Sequence, residues 1–241
     1  IRRPPRSTLD RSSAASDVYK RQTLLQQAEP YFEVQMRKPF LQGILDGTLP
    51  TEKFLYWVRV DYPYLVNFSR ILALGVAKAD TFEDMRVMQE YLHWIINDEM
   101  ALHESYAAEN GITKLDLESQ QMGPIKYAYT RHELSSAYSG SMGELIAGIL
   151  ACIVGYQVVC RKLVSSAEIK SDNPYKDWLS MYSSDADLDT HTQKIIAIFD
   201  RLASEGSKNL RVSMEAKFMA GVRYETMCWD AYFDMEEWIN H

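Results

Sequence analysis

The sequence predicts an all-α, single-domain helical bundle. Three observations carry that prediction. Apolar residues recur at three- and four-residue intervals from Thr23 to the end of the chain, and no segment alternates with period two over a useful length. Helix start and stop signals recur at intervals that suit about eight helices. The length of 241 residues, with 46% hydrophobic and 24% charged residues, is an ordinary globular balance, and neither an internal repeat nor a linker divides it.

Residues 1–22 are treated separately. They read IRRPPRSTLDRSSAASDVYKRQ, with Pro4-Pro5, a Ser/Ala cluster, six basic and two acidic residues, and no helical period. They lack the apolar core of a signal peptide. They resemble a translated adapter or cloning scar and are expected to be a disordered, non-native tail. Residues 23–241 are then the folded domain, with 20 basic against 31 acidic residues.

The elements follow in order. Thr23–Leu45 is helical by period, with interruptions expected at Pro30 and Pro39. Asp46-Gly-Thr-Leu-Pro50 is a turn, and Thr51 is the expected N-cap of a helix reaching about Lys78, kinked at Pro63. Thr81 and Asp84 resemble a capping box that opens one long helix ending near Asn110-Gly111, where Gly suits a left-handed cap. Pro124–Tyr138 is a further helix. Ser141 and Glu144 form a second box, opening a helix to about Ser166. Asp172-Asn-Pro174 starts a short helix through Tyr182, and helices near Asp185–Ser204 and Leu210–Trp238 complete the chain.

Composition excludes several classes of function. A net charge of −7 argues against nucleic acid as the main partner. No apolar run approaches the roughly 20 residues that span a bilayer, so no membrane role is expected. Three cysteines without a CxxC exclude a disulfide framework or a cysteine-rich zinc site and fit a reducing, cytoplasmic setting.

The chemistry gathers on inward-facing polar residues. Cys152 and Tyr156 lie four apart within an apolar stretch, so a thiol and a phenol share one helix face. A nucleophilic thiol needs a partner to remove its proton, and Glu225 or Asp61 is a candidate. The plainer alternative is a small buried core residue, which is also the reading of Cys160. Asp61, with Tyr64 on the same helix face, is either an anchor for amine donors or half of an ion pair with Arg59 or Arg70. Glu225 sits among aromatic residues that would raise its pKa into the acid/base range, unless it is a surface residue paired with Arg223 or Lys217. Glu99 and His103 have i,i+4 metal-pair spacing, although such pairs are more often hydrogen-bonded to each other, and no HExxH occurs. Tyr129 and His132 belong either to packing or to a pocket. Fifteen tyrosines suit a cavity that stacks a ring and offers hydroxyls.

From Pro39 to Trp238 the chain resembles the TenA (thiaminase II, aminopyrimidine aminohydrolase) family of the haem-oxygenase-like superfamily. The resemblance runs through Gly47-Thr-Leu-Pro50, Asp61-Tyr-Pro-Tyr64-Leu65, Phe68-Ser-Arg70, Glu99-Met-Ala-Leu-His103-Glu-Ser-Tyr106, Ala128-Tyr129-Thr130, Cys152 with Tyr156, Tyr175-Lys-Asp-Trp178, Tyr182, and Tyr224-Glu225 with Trp229-Asp230. It implies that Asp61, Tyr64, Tyr129, Tyr156 and Tyr182 bind an aminopyrimidine, with Cys152 as nucleophile and Glu225 as general acid/base. It implies a small-molecule pyrimidine substrate, either thiamin or its breakdown product aminomethylpyrimidine, and hydroxymethylpyrimidine as the product for thiamin salvage. Neither metal nor organic cofactor is implied, and a homotetramer is. Three positions depart from the family: Ala151 stands for the usual Pro before the cysteine, Cys228 for an aromatic three after Glu225, and Val60 for Gln before Asp61. The Cys228 departure implies an enlarged pocket.

Three rival readings come from other classes. A diiron oxidase of the same superfamily would place Glu seven residues before the histidine, where Ile96 stands. A pyrroloquinoline-quinone synthase-like oxygenase needs a more basic pocket. A non-catalytic pyrimidine-binding or regulatory protein would keep the pocket without the reaction.

Overall fold

A computed structural model describes residues 9–239, with side chains from Gln22 onward. Helices α1 (Leu9–Met36), α2 (Pro39–Asp46), α3 (Thr51–Lys78), α4 (Phe82–Trp94), α5 (Met100–Glu109), α6 (Lys114–Ser119), α7 (Pro124–Ser139), α8 (Met142–Ser166), α9 (Lys176–Ser184), α10 (Ala186–Glu205) and α11 (Lys208–Asp234) make up the bundle. A five-residue π turn, Ile95–Glu99, joins α4 to α5. No strand occurs among the described residues.

Helix α8 is the central element and packs against α11, α7, α9, α10 and α1. Seventeen of its residues are buried, most of them Leu, Ile, Val, Ala and Gly. Burying a Leu or Ile side chain contributes about 1.5–3 kcal/mol, which accounts for α8 holding the middle. Its close approach to α11 depends on small residues: a Cβ added at Gly221 would lie 2.7 Å from the Ala151 Cβ. The expectation that no apolar run nears bilayer length needs correction. Helix α8 has 25 residues and contains an 18-residue stretch of mean hydropathy 1.8, enough to cross a membrane by length and composition. Within the protein, however, 83% of that apolar window is buried, as befits a core helix.

Local signals explain most boundaries. Ser141 and Glu144 form the expected reciprocal capping box. Thr81 accepts from the Asp84 N–H at 3.0 Å and caps α4. Gly111 takes φ +74 after α5.

Other boundaries differ from expectation. Residues 9–22 have helical backbone continuous with α1, in place of a tail without helical order. No Gly or Pro interrupts residues 9–29, and extending an existing helix carries no new nucleation cost. Residues 1–8 of that tail lie outside the described residues. Helix α1 passes through Pro30, and the break falls instead at residues 37–38, with Pro39 at a helix N-terminus where its missing N–H is harmless. Pro50, not Thr51, is the N-cap of α3, and α3 is continuous through Pro63. The long helix expected over 81–110 is divided by the π turn. Helix α11 ends at Asp234, where Met235 turns left-handed at φ 52. Trp238 instead folds back, and its indole donates to the Met122 carbonyl at 2.9 Å.

Candidate active site

Helices α3, α8 and α9, together with the π turn, direct polar side chains into one small chamber. Asp61, Tyr64, Glu99, Cys152, Tyr156 and Tyr182 line it, with Phe68 and Tyr91 as apolar walls. Glu225 of α11 and Tyr129 of α7 lie behind that lining, beside Cys152 and Tyr64. The chamber's free space is about 20 Å³, room for about one water. A pyrimidine ring therefore enters only when the walls move apart.

Cys152 is half-buried because it borders this chamber. Burial, and after it the Glu225 and Glu133 carboxyls, hold its thiol well above the ordinary range. The resting form is the thiol, so nucleophilic use requires a base. Glu225 lies beside it on α11, is 1% exposed, and has a pKa pushed by burial to about 7. Cys152 and Tyr129 are both near enough to favour its ionised form. Neither of its oxygens has a partner at hydrogen-bond geometry, however, so these are near contacts rather than formed bonds. An unbonded buried carboxyl poised at neutrality is an unusual expense in a core. The expected pairing of Glu225 with Arg223 or Lys217 does not occur: Arg223 donates to the Tyr31 hydroxyl and Lys217 to Ser136 Oγ.

Asp61 is buried, and its ion-pair partners are not Arg59 or Arg70. Lys126 Nζ lies 2.7 Å from Oδ1, and His103 Nε2 lies 3.2 Å from Oδ2. Burial pushes the Asp61 carboxyl up, but Lys126 and His103 outweigh it and hold it below the usual range. Arg70 turns instead to Asn67. His103 Nδ1 faces the Glu99 backbone oxygen at 2.9 Å. Both ring nitrogens thus face acceptors, an arrangement that favours the doubly protonated ring. Burial alone would lower its pKa, but Asp61 and Glu99 raise it.

The Glu99–His103 spacing therefore marks a buried histidine that faces the Glu99 backbone and Asp61, while the Glu99 carboxyl turns to Tyr182. Among the described residues no group of three or more His, Cys, Asp or Glu is arranged to hold a metal ion. The Glu99 carboxyl accepts from the Tyr182 hydroxyl at 2.7 Å, and burial raises its pKa to about 7.

Of the expected binding residues, Asp61, Tyr64, Tyr156 and Tyr182 line the chamber, and Tyr129 lies behind Tyr64. Tyr64 donates to Glu133 Oε1 at 3.1 Å. Tyr129 stacks between Tyr64 and Tyr224, at centroid distances of 6.0 and 5.6 Å. Tyr156 packs against Tyr182 at 4.9 Å and Trp229 at 5.0 Å. The Tyr129 and Tyr156 hydroxyls are buried without partners. Burial holds all four phenols well above their ordinary range, so they stay neutral donors. His132 is apart from the site and donates from Nε2 to the Lys217 carbonyl at 3.0 Å. Cys160 is a core residue.

Two residues here escape the sequence reading. Lys126 and Glu133 are both buried, and both lie on the Tyr129 face of α7. Their i, i+3, i+7 spacing with Tyr129 was the available signal.

The chain is similar to known proteins along most of its length. The family model described as TENA/THI-4/PQQC family matches residues 25–235. The aminopyrimidine aminohydrolase of Halalkalibacterium halodurans is 33% identical over 217 residues, covering 90% of this chain and 96% of that protein. A structure described as a TenA family transcription regulator from Silicibacter sp. TM1040 superposes with a TM-score of 0.80 at 26% identity, covering 89% of this chain and 96% of that one. A Shewanella denitrificans domain of unknown function with a heme oxygenase-like fold superposes at 0.68 with 14% identity, covering 89% and 92%. At that identity it speaks to the fold alone.

Proposed function

The chain belongs to the TENA/THI-4/PQQC family, and from that premise we propose that it is an aminopyrimidine aminohydrolase of thiamin salvage. The observation that carries the reading is the juxtaposition of the Cys152 thiol with a buried, unbonded Glu225 carboxyl poised near neutrality. The full-length likeness to a curated aminopyrimidine aminohydrolase supports it.

The residues divide the work as follows. Glu225 as carboxylate takes the S–H proton of Cys152 and delivers it to a pyrimidine ring nitrogen as the S–C bond forms. The electron pair thus fed into the ring expels the exocyclic substituent: ammonia from the protonated aminomethyl group, or the neutral thiazole from the thiazolium of thiamin. Water adds to the exposed methylene and gives a proton to the Glu225 carboxylate; the S–C bond then breaks, the sulfur takes that proton back from Glu225, and hydroxymethylpyrimidine leaves with the ring-nitrogen proton, which passes to solvent. Asp61 receives the amino edge of the ring, because a carboxylate accepts from two donors at once and has lone pairs beyond those facing Lys126 and His103. Tyr64 and Tyr129 stack with the ring. Tyr156 and Tyr182 direct hydroxyls toward it, Tyr156 with a hydrogen bond to give.

The enzyme acts in the cytoplasm as a homotetramer, by family likeness. Exposed Phe82, Leu115 and Tyr138 are apolar surfaces suited to contact between copies. Light scattering on the purified protein tests the assembly.

Fluorescence titration with hydroxymethylpyrimidine, paired with ammonia release from aminomethylpyrimidine, tests the function. Trp178 and Trp229 pack on Tyr156 and report occupancy. Saturable binding with ammonia release is expected. Binding without ammonia release from aminomethylpyrimidine and without thiazole release from thiamin identifies a binder and overturns the hydrolase.

A further inference from the structure

We propose that Lys126 is a positioning residue of this site, whose ammonium fixes the Asp61 carboxylate and supplies the positive charge against which Cys152 and Glu225 ionise. The geometry carries the inference. Lys126 is 2% exposed, with Nζ 2.7 Å from Asp61 Oδ1 and 3.4 Å from the centroid of the Tyr64 ring. The contact with Asp61 is a short ion pair, and the same ammonium is seated on the face of the Tyr64 ring.

Asp61 alone does not require this lysine. The His103 ring already faces its other oxygen, and a buried ion pair repays its desolvation only in part. Titratable groups surround Lys126 on every side. From α3 come Asp61 and Tyr64, and from the π turn Glu99, with His103 of α5 behind Asp61. From α7 come Tyr129 and Glu133, and from α8 Cys152. From α11 come Glu225, Cys228 and Tyr232, the last with its ring 5.6 Å from Nζ. Lys126 favours the ionised form at Cys152, Glu133, Glu225 and Cys228 alike. The chain has Cys228 where the family has an aromatic, and Lys126 is a charge near that changed position.

Its role in turnover rests on the hydrolase reading, so the test uses a readout that needs no substrate. Cys152 alkylation by iodoacetamide is followed against pH by peptide mass spectrometry in the wild type, K126M and K126R. K126M is expected to move the alkylation midpoint up by about one pH unit or more, a roughly tenfold loss of rate at a fixed pH on the rising limb. K126R, which keeps the charge, is expected to stay within about threefold of wild type. A K126M profile that overlays the wild type overturns the proposal. If K126M does not fold, K126Q, which leaves a neutral polar side chain beside Asp61, is measured in its place, and the same upward shift is expected. Its absence overturns the proposal equally. A wild type that alkylates normally but turns over neither aminomethylpyrimidine nor thiamin overturns the hydrolase and leaves Lys126 standing.

Discussion

Replacing Glu225 by Gln should make the protein more stable at alkaline pH while removing its activity. The Glu225 carboxyl is 1% exposed, lacks hydrogen-bond partners, and has its pKa raised from 4.5 to about 7, chiefly by burial. In the unfolded chain it ionises in the ordinary range. The folded state therefore disfavours the carboxylate. That cost is absent below pH 4.5, grows as pH rises toward 7, and is fully present above it. A shift of about 2.5 units at about 1.4 kcal/mol each gives roughly 3 kcal/mol. Glu225→Gln keeps the shape and deletes the charge. Glu99, also near 7, contributes equally to both proteins and cancels in the comparison. Urea unfolding at pH 5 and pH 8.5 measures the effect. Nearly equal stabilities at pH 5 are expected, with the variant ahead by up to about 3 kcal/mol at pH 8.5. A difference that does not change with pH would refute a buried, neutral-poised carboxyl. The same substitution should lower kcat by about 100-fold or more, the usual worth of a general acid/base.

Three further outcomes are expected. The kcat/KM of the wild type should rise with pH through about 7, because Glu225 must be ionised to take the thiol proton; a profile flat from pH 5.5 to 8 contradicts that role. Tyr182→Phe removes the 2.7 Å bond to the Glu99 carboxyl and should destabilise by about 1–3 kcal/mol in urea unfolding; an unchanged midpoint shows that the bond carries no net stability. Gly221→Ala sets a methyl group 2.7 Å from the Ala151 Cβ, where α8 and α11 meet. It should cost about 1–3 kcal/mol by overpacking and lower activity as Glu225 moves from Cys152; unaltered melting would mean that the two helices separate freely.

Much of the bundle is visible in the sequence because its signals are local. The Ser141–Glu144 box, the Thr81 cap and the left-handed Gly111 each depend on residues within a few positions. The Cys152–Tyr156 pair follows from helical spacing alone. The π turn at Ile95–Glu99 does not, because a one-residue change of register is set by packing against other helices rather than by composition. Helix α6, six residues long, is too short to display a period. The partners of Asp61 were open for a similar reason. Spacing favours Arg59 or Arg70 on the same helix, whereas the fold brings Lys126 from α7 and His103 from α5. Lys126 and Glu133 read as ordinary surface residues until their helix face is known to be buried. Long-range charge pairing leaves no trace in residue intervals.

The most direct test of the account is ammonia release from aminomethylpyrimidine by wild type and Cys152→Ser, with hydroxymethylpyrimidine binding measured on the same samples. The account predicts turnover by the wild type, loss of turnover in the variant, and similar ligand affinity in both, since the serine hydroxyl fills the same place without the nucleophilicity of sulfur. Sustained turnover by the variant would contradict the covalent role of Cys152 and with it the mechanism.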